Sequence, residues 1–464
     1  TLTARLEVSG ISGRPYLIHK KEKIMYKIAI ESLGCSKNLN DSEIMAGILE
    51  KNGYILTDKF EAADIIVVNT CGFIESAKEE SIDTILEMAD YKKSGSLKYL
   101  IVTGCMAQRY SEQLQNEIPE IDLILGTTSF PQIAQAVEGL DRQGKTSIIE
   151  DIDKDIAENL PKKKLTPDYM AYVKIAEGCD NKCTYCIIPK LRGKYRSRKL
   201  EDIVSESEEL AKSGVKEVIL IAQDTSRYGT DIYGKKTLPE LLRRLSKIEA
   251  IEWIRVLYTY PEEIDSELID AVKSSSKICS YFDMPVQHSS NRILKLMNRK
   301  TTREDMLDKI SMIRKSLPDA VIRTTLIVGF PQESSEDFED LKDFVREAKF
   351  DRLGAFTYSR EEGTAAANLS GQVDEDEKLA RREEIMLLQQ EISLENNMKR
   401  VGETCRVLVE EKLEEGLYSA RSQKEAPEID GLVYVKANHE LQVGSIVDVR
   451  IVQATEYDVM GETI

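Results

Sequence analysis

The chain has 464 residues, too many for one ordinary core, so roughly two to four domains are expected. Hydrophobic residues make up 41% and charged residues 31%, a globular balance, and no run of about 18 apolar residues offers a transmembrane helix. The formal net charge of −17 argues against nucleic acid as the main partner, because an acidic surface repels phosphate and attracts basic protein.

Residues 1–25 read as an N-terminal extension or leader. They lack the apolar core of a secretory signal, and Met25 is a candidate start, so a cytoplasmic protein is expected. Eight cysteines are too few for a disulfide scaffold in a chain of this size. Cys279 and Cys405 read as core thiols; the other six fall into two sets of three.

Residues 26–142 alternate short apolar runs with amphipathic ones. Strands are expected at 27–30, 65–68, 99–102 and 122–125, and helices at 41–51, 76–91 and 131–138. This alternation predicts a doubly wound parallel sheet. Cys35, Cys71 and Cys105 each follow one of those strands. They are therefore expected at the carboxyl edge of one sheet, where such folds bind ligands. The plainer alternative is three unrelated core cysteines.

Residues 143–168 form a polar linker. Leading into it, Gly139, Gly144, Lys145 and Thr146 match the spacing of a phosphate-binding loop. Such a loop follows a strand and opens a helix. Here a helix precedes and a strand is expected at 147–149, so the match reads as chance.

A second alternating series fills 169–397. Strands are expected at 172–175, 217–222, 253–257, 281–284, 322–328 and 352–357, with helices at 200–213, 238–248, 262–274 and 303–316. Repeats of this kind suggest an open or partial TIM-type barrel, with its chemistry at the carboxyl ends of the strands. The first strand runs directly into Cys179, Cys183 and Cys186, spaced Cys-x-x-x-Cys-x-x-Cys. Three thiolates can hold three irons of a cubane cluster and leave the fourth free for a substrate. Zinc would need a fourth ligand from afar, such as Cys279 or His288. His288 itself reads as structural.

Next come Lys190, Arg192, Lys194, Arg196, Arg198 and Lys199. They form either a solvated basic loop or a set of charges that assists an anionic cluster and ligand. Gly329 ends a strand and allows either close backbone approach to a ligand or a plain turn. A long charged helix at 376–399 is expected to bridge to residues 398–464. There, short β-branched segments at 406–410, 431–435 and 445–451 and at the terminus, punctuated by glycines, predict a small antiparallel β-barrel. Residues 401–464 carry 13 acidic and 6 basic residues, a poor composition for RNA binding.

Cys179, Cys183 and Cys186, with Tyr185 before the last cysteine, resemble the radical S-adenosylmethionine (SAM) superfamily. The whole order of domains over 26–464 is similar to the methylthiotransferase family, in which the terminal barrel is a TRAM domain. Four segments resemble the RimO branch, which acts on a ribosomal protein. They are Ser32-Leu-Gly-Cys35-Ser-Lys-Asn38, Ile221-Ala-Gln-Asp-Thr-Ser-Arg-Tyr-Gly229, Asp283-Met-Pro-Val-Gln-His288 and Pro427-Glu-Ile-Asp-Gly431. One departure is Gly329-Phe-Pro-Gln332-Glu-Ser334, where Gly-Phe-Pro-Gly-Glu-Thr is commoner.

The resemblance implies two 4Fe-4S clusters, one on Cys179, Cys183 and Cys186 and one on Cys35, Cys71 and Cys105. It implies SAM at the open iron of the first, a sulfur to be inserted at the second, and Tyr185 and Gly329 beside the cofactor. The implied reaction is radical transfer of a methylthio group to the β-carbon of an aspartate in protein twelve of the small ribosomal subunit. That protein is basic, which suits an acidic enzyme. An electron donor such as flavodoxin or ferredoxin and a sulfur donor are implied partners; tRNA and membrane are not. The alternatives are a tRNA methylthiotransferase acting on a modified adenosine near the anticodon, and a non-catalytic iron–sulfur carrier.

Overall fold

A computed structural model describes residues 26–464; the expected leader at 1–25 lies outside the described residues. The N-terminal body is a six-stranded parallel sheet. Its order is Ile55–Leu56, Lys27–Ser32, Ile65–Thr70, Tyr99–Gly104, Ile121–Leu125, Thr146–Ile148. Side chains alternate between its two faces. Ile65, Val67, Ile101 and Leu123 pack on one side with the helices Ser36–Lys51 and Ile133–Gln143. Ile66, Val68, Leu100 and Val102 pack on the other with Glu75–Ser94 and Cys105–Glu117. Burial on both faces explains the unbroken apolar runs that marked these strands.

Strand order reverses between Lys27–Ser32 and Ile65–Thr70. That switch point opens the ligand crevice of such a sheet, and Cys35 and Cys71 follow its two strands. Two elements went unforeseen. Helix Cys105–Glu117 is mostly polar and buries little beyond Met106, Ala107 and Leu114. The edge strand Ile55–Leu56 is only two residues long. The sheet also runs on into the expected linker, through Thr146–Ile148. Helix Ile133–Gln143 precedes Gly144 there, so the order is the reverse of a phosphate loop.

The central body carries six parallel strands: Met170–Lys174, Glu217–Ile221, Trp253–Val256, Tyr281–Asp283, Val321–Val328 and Arg352–Thr357. Two three-stranded ribbons meet at an isolated bridge between Ile254 and Ile278. Among the described residues the first and last strands share no ladder, so this is an open barrel. The N-terminal body binds both sides of that opening. Asn40 Nδ2 donates to Tyr172 O (3.1 Å) on the first strand. Arg109 donates to Glu361 Oε2 (2.9 Å) and Glu362 O (2.7 Å) beyond the last.

Helix Glu375–Met398 lies along the last strand. Asn397 Oδ1 accepts from Arg352 at 3.2 Å, and its Nδ2 donates to Thr455 O at 3.0 Å, so the helix ties the open barrel to the C-terminal body. That body is a closed barrel of Thr404–Glu414, Leu417–Ser422, Val433–Lys436, Val459–Thr463 and Ile446–Ala454, in that spatial order. Four pairings are antiparallel; Val433–Lys436 and Val459–Thr463 run parallel. Strand Leu417–Ser422 was not foreseen. It is buried from Tyr418 onward, because Arg421 and Ser422 face the central body, and this hides the usual alternation. No described helix is long and apolar enough to cross a membrane.

Candidate functional site

Cys179 leaves the first barrel strand through Ala176–Glu177 and is fixed by its backbone N–H to Gly193 O at 3.1 Å. Gly178, at φ +77°, lets this loop press against the carbonyl of Lys194, where a Cβ would sit 2.0 Å away. Thr184 holds the middle of the loop. It accepts from Ala366 N at 2.8 Å and donates from Oγ1 to Leu296 O at 2.8 Å. The Cys186 N–H closes a turn on Cys183 O. The three thiols therefore sit on a rigid loop at the barrel mouth.

Arg299 faces this loop. Its guanidinium lies 3.9 Å from Cys183 Sγ and 4.5 Å from the centre of the Tyr260 ring. Cys183, Tyr260, Arg299, Asn181 and Glu262 line a cavity of about 250 Å³. Asn181 Nδ2 donates to Asp224 Oδ2 at 2.9 Å, which joins the loop to the end of the second barrel strand. Burial pushes the Cys179 thiol up to about 11 and the Cys186 thiol up to about 12. Neutral thiols must lose their protons before they can ligate iron.

Tyr185 packs against the cluster of Ile293, Met297, Phe330, Tyr358 and Ala366. Burial, then the adjacent Cys183, push its phenol well above the ordinary value. Gly329, at φ +69°, lies next to Phe330. Its close approach is made to Lys378, whose Cγ would be 2.2 Å from an added Cβ. Packing against Lys378 gives this glycine a structural reason of its own. His288 is fully buried and accepts from the Ser289 and Ser290 N–H groups at Nδ1 (2.9 and 3.0 Å), a structural role. Cys279 is buried, and Cys405 is half-buried against the C-terminal core.

The second set converges at the edge of the N-terminal sheet. Cys35 caps helix Ser36–Lys51, Cys71 follows Ile65–Thr70, and Cys105 opens helix Cys105–Glu117. Gly34 lies against Cys71, whose Sγ would be 3.1 Å from an added Cβ. Burial raises the Cys35 thiol, but the cations of Lys37 and Arg192 outweigh it and hold the thiol below its ordinary value. Burial, then Cys105, push Cys71 up to about 12.

The two sets meet across the contact between the bodies. Cys105 forms a small apolar cluster with Ile187 and Leu191, which lie just beyond Cys186. Arg192, on the same short helix, donates from Nε to Cys105 Sγ at 3.4 Å. Lys37 stands 3.4 Å from the centre of the Tyr258 ring at the end of the third barrel strand. The basic run thus divides. Arg192 is buried at the cysteines. Arg196 and Arg198 pin the linker through Ile152, Asp153 and Glu158, and Lys194 stays exposed.

Among the described residues no group of three or more His, Cys, Asp or Glu side chains gathers around a single metal-ion position. Each set offers three free thiols, the donor chemistry of an iron–sulfur cluster. Lys37, Asn38, Asp41, Tyr258, Tyr260 and Arg299 were not foreseen as site residues. Lys37 and Asn38 stood inside the Cys35 motif; the others carry no local signal.

Three family models match the chain: the uncharacterized protein family UPF0004 over 27–126, the radical SAM superfamily over 173–345, and the TRAM domain over 401–464. A protein of Clostridioides difficile strain 630, ribosomal protein uS12 methylthiotransferase RimO, is 59% identical over 95% of this chain and 99% of its own length. The protein of the same name from Pelotomaculum thermopropionicum is 53% identical over 94% and 99%. Among solved structures, the radical SAM methyltransferase TsrM of Kitasatospora setae aligns with a TM-score of 0.52 at 12% identity, over 85% of this chain and 80% of that one. The cobalamin-dependent SAM radical enzyme OxsB aligns at 0.51 and 13%, over 78% and 56%. These two likenesses bear on fold alone, while the identity to the curated relatives, spread over nearly the whole chain, shows that this protein belongs to the RimO family of radical SAM methylthiotransferases.

Proposed function

We propose that the protein adds a methylthio group to the β-carbon of an aspartate in ribosomal protein uS12. The observation that carries this reading is the meeting of two cysteine triads at one interface, with Cys105 packed on Ile187 beside Cys186. A carrier of electrons has no evident need for two open clusters under one roof. The relatives are named for a ribosomal protein, and none of those cited is named for tRNA.

The family works with SAM and 4Fe-4S clusters. Cys179, Cys183 and Cys186 would hold the cluster that, with SAM, supplies a 5′-deoxyadenosyl radical; Cys35, Cys71 and Cys105 would hold a second one for the sulfur. A radical is needed because no side-chain base can take a proton from an unactivated carbon. The chain's own residues prepare the site. Lys37 and Arg192 favour the Cys35 thiolate, and Arg299 sets a positive charge beside Cys183. Arg109, Lys78 and Glu361 clamp the N-terminal body over the barrel opening, which excludes water from a reactive intermediate.

The working units on this reading are residues 26–142, 169–397 and 398–464. The acidic C-terminal barrel suits a basic substrate. Flavodoxin or ferredoxin would bring the electron and a separate donor the sulfur, in the cytoplasm where ribosomes are built. Anaerobic incubation of uS12 with the reconstituted enzyme, SAM, sulfide and dithionite is the test. Mass spectrometry should find one methylthio group on an aspartate; an unmodified uS12 beside methylthiolated tRNA would overturn the assignment.

A further inference from the structure

Arg192 belongs to the central body, yet its side chain is spent on the N-terminal one. The guanidinium is buried at 2% exposure. It donates from Nε to Cys105 Sγ (3.4 Å), from Nη1 to Asp41 (2.6 Å) and Glu177 (3.2 Å), and from Nη2 to Asn38 Oδ1. Lys174 stands against the same two carboxylates, and Lys37 lies two residues beyond Cys35 in the first turn of its helix. Three buried cations and two buried carboxylates thus lie around the second cysteine set, Lys37 pairing with neither carboxylate but lying over the Tyr258 ring. Buried charge of this kind is not left unbalanced without a compensating anion. A cluster on Cys35, Cys71 and Cys105 is such an anion.

We propose that Arg192 is a positioning residue that sets the reduction potential of the second cluster through its hydrogen bond to the Cys105 thiolate. This rests on the reading of Cys35, Cys71 and Cys105 as cluster ligands. One electron enters from an external reductant, no proton moves, and no bond in the protein is made or broken. The reduced cluster is more negative by one charge, so a buried guanidinium bonded to its ligand sulfur favours reduction and raises the potential. Asp41 opposes this and tempers it. The arrangement also makes the second cluster sensitive to docking of the two bodies, because its strongest hydrogen-bond donor arrives only with the central one.

The test uses full-length protein carrying Cys179→Ala, Cys183→Ala and Cys186→Ala, so that a single cluster is titrated. The midpoint potential is followed by electron paramagnetic resonance with dithionite. Arg192→Gln should lower the potential and Asp41→Asn should raise it; these opposite shifts are not what a merely structural role would give. If Arg192→Gln fails to take up iron, the sign of the Asp41→Asn shift decides. Equal potentials in the parent and both variants, or a fall in Asp41→Asn, would overturn the proposal. Failure of the parent itself to assemble a cluster would overturn the ligand reading instead.

Discussion

Arg421 of the C-terminal barrel donates from Nη2 to Oε2 of Glu217, at the start of the second strand of the open barrel, across 2.8 Å. Arg255 takes the other oxygen from Nε, also at 2.8 Å, and all three side chains are buried. One carboxylate thus joins two bodies by bonds to two guanidinium groups. Glu217→Ala would leave both cations buried and facing each other. Breaking a buried pair in this way costs about 3–5 kcal/mol. The expected outcome is a lower calorimetric transition for the C-terminal barrel, with earlier proteolytic release of residues 401–464.

The same interface should be acid-sensitive. Burial alone would raise Glu425, but Arg400 and Arg352 hold it down at about 2, against an ordinary value of 4.5. Glu217 is held below its ordinary value by Arg421 and Arg255, again against burial. A depressed carboxylate stabilises the fold fully above its unfolded value and loses that contribution as pH falls through its folded value. For Glu425 the contribution is on the order of 3 kcal/mol. Docking of the C-terminal barrel should hold down to about pH 4.5 and weaken progressively toward pH 2. Melts across that range check it, and Glu425→Gln should show a smaller pH dependence, with the part owed to Glu217 remaining.

The two cysteine sets should separate by function. Anaerobic assay of Cys183→Ala should show no 5′-deoxyadenosine. Cys35→Ala should still cleave SAM but transfer no methylthio group. Retained SAM cleavage in Cys183→Ala would sink the role given to that loop.

Gln332, the departure seen in the sequence, sits at φ +70°. Its N–H bonds to Gly371 O at 2.7 Å and its carbonyl accepts from Arg292, so the turn is held in a left-handed form that suits glycine. The departure leaves the turn's shape in place and strains its backbone. Gln332→Gly relieves about 1–2 kcal/mol of that strain and gives some back as chain entropy. A gain of roughly 0.5–1 kcal/mol in unfolding free energy is expected. Gly329→Ala should act oppositely, costing about 1–3 kcal/mol through its clash with Lys378. Its SAM affinity should be unchanged, which isothermal titration can check.

Local pattern was enough for the sheet edge on which Cys35, Cys71 and Cys105 stand. Parallel strands buried on both faces are continuous apolar runs, and a residue that follows such a run lies at its carboxyl end. The same logic placed Cys179, Cys183 and Cys186 at the mouth of the central barrel. It failed where burial comes from contact between bodies. Helix Ser36–Lys51 begins with four polar residues among its first five, yet Lys37, Asn38 and Asn40 are buried against the sheet and the central body. Strand Leu417–Ser422 hides its alternation for the same reason.

The sequence by itself determined the cysteine spacings, the parallel strands that carry them and the acidic surface, because periodicity and charge are properties of neighbours along the chain. Only the tertiary structure decided that the two triads share one interface and that Arg192, out of six cations in a row, is the one turned to Cys105. It also decided that Gly329 answers to Lys378. Those relations join residues up to 87 positions apart, and side-chain contacts at that range depend on how whole bodies dock.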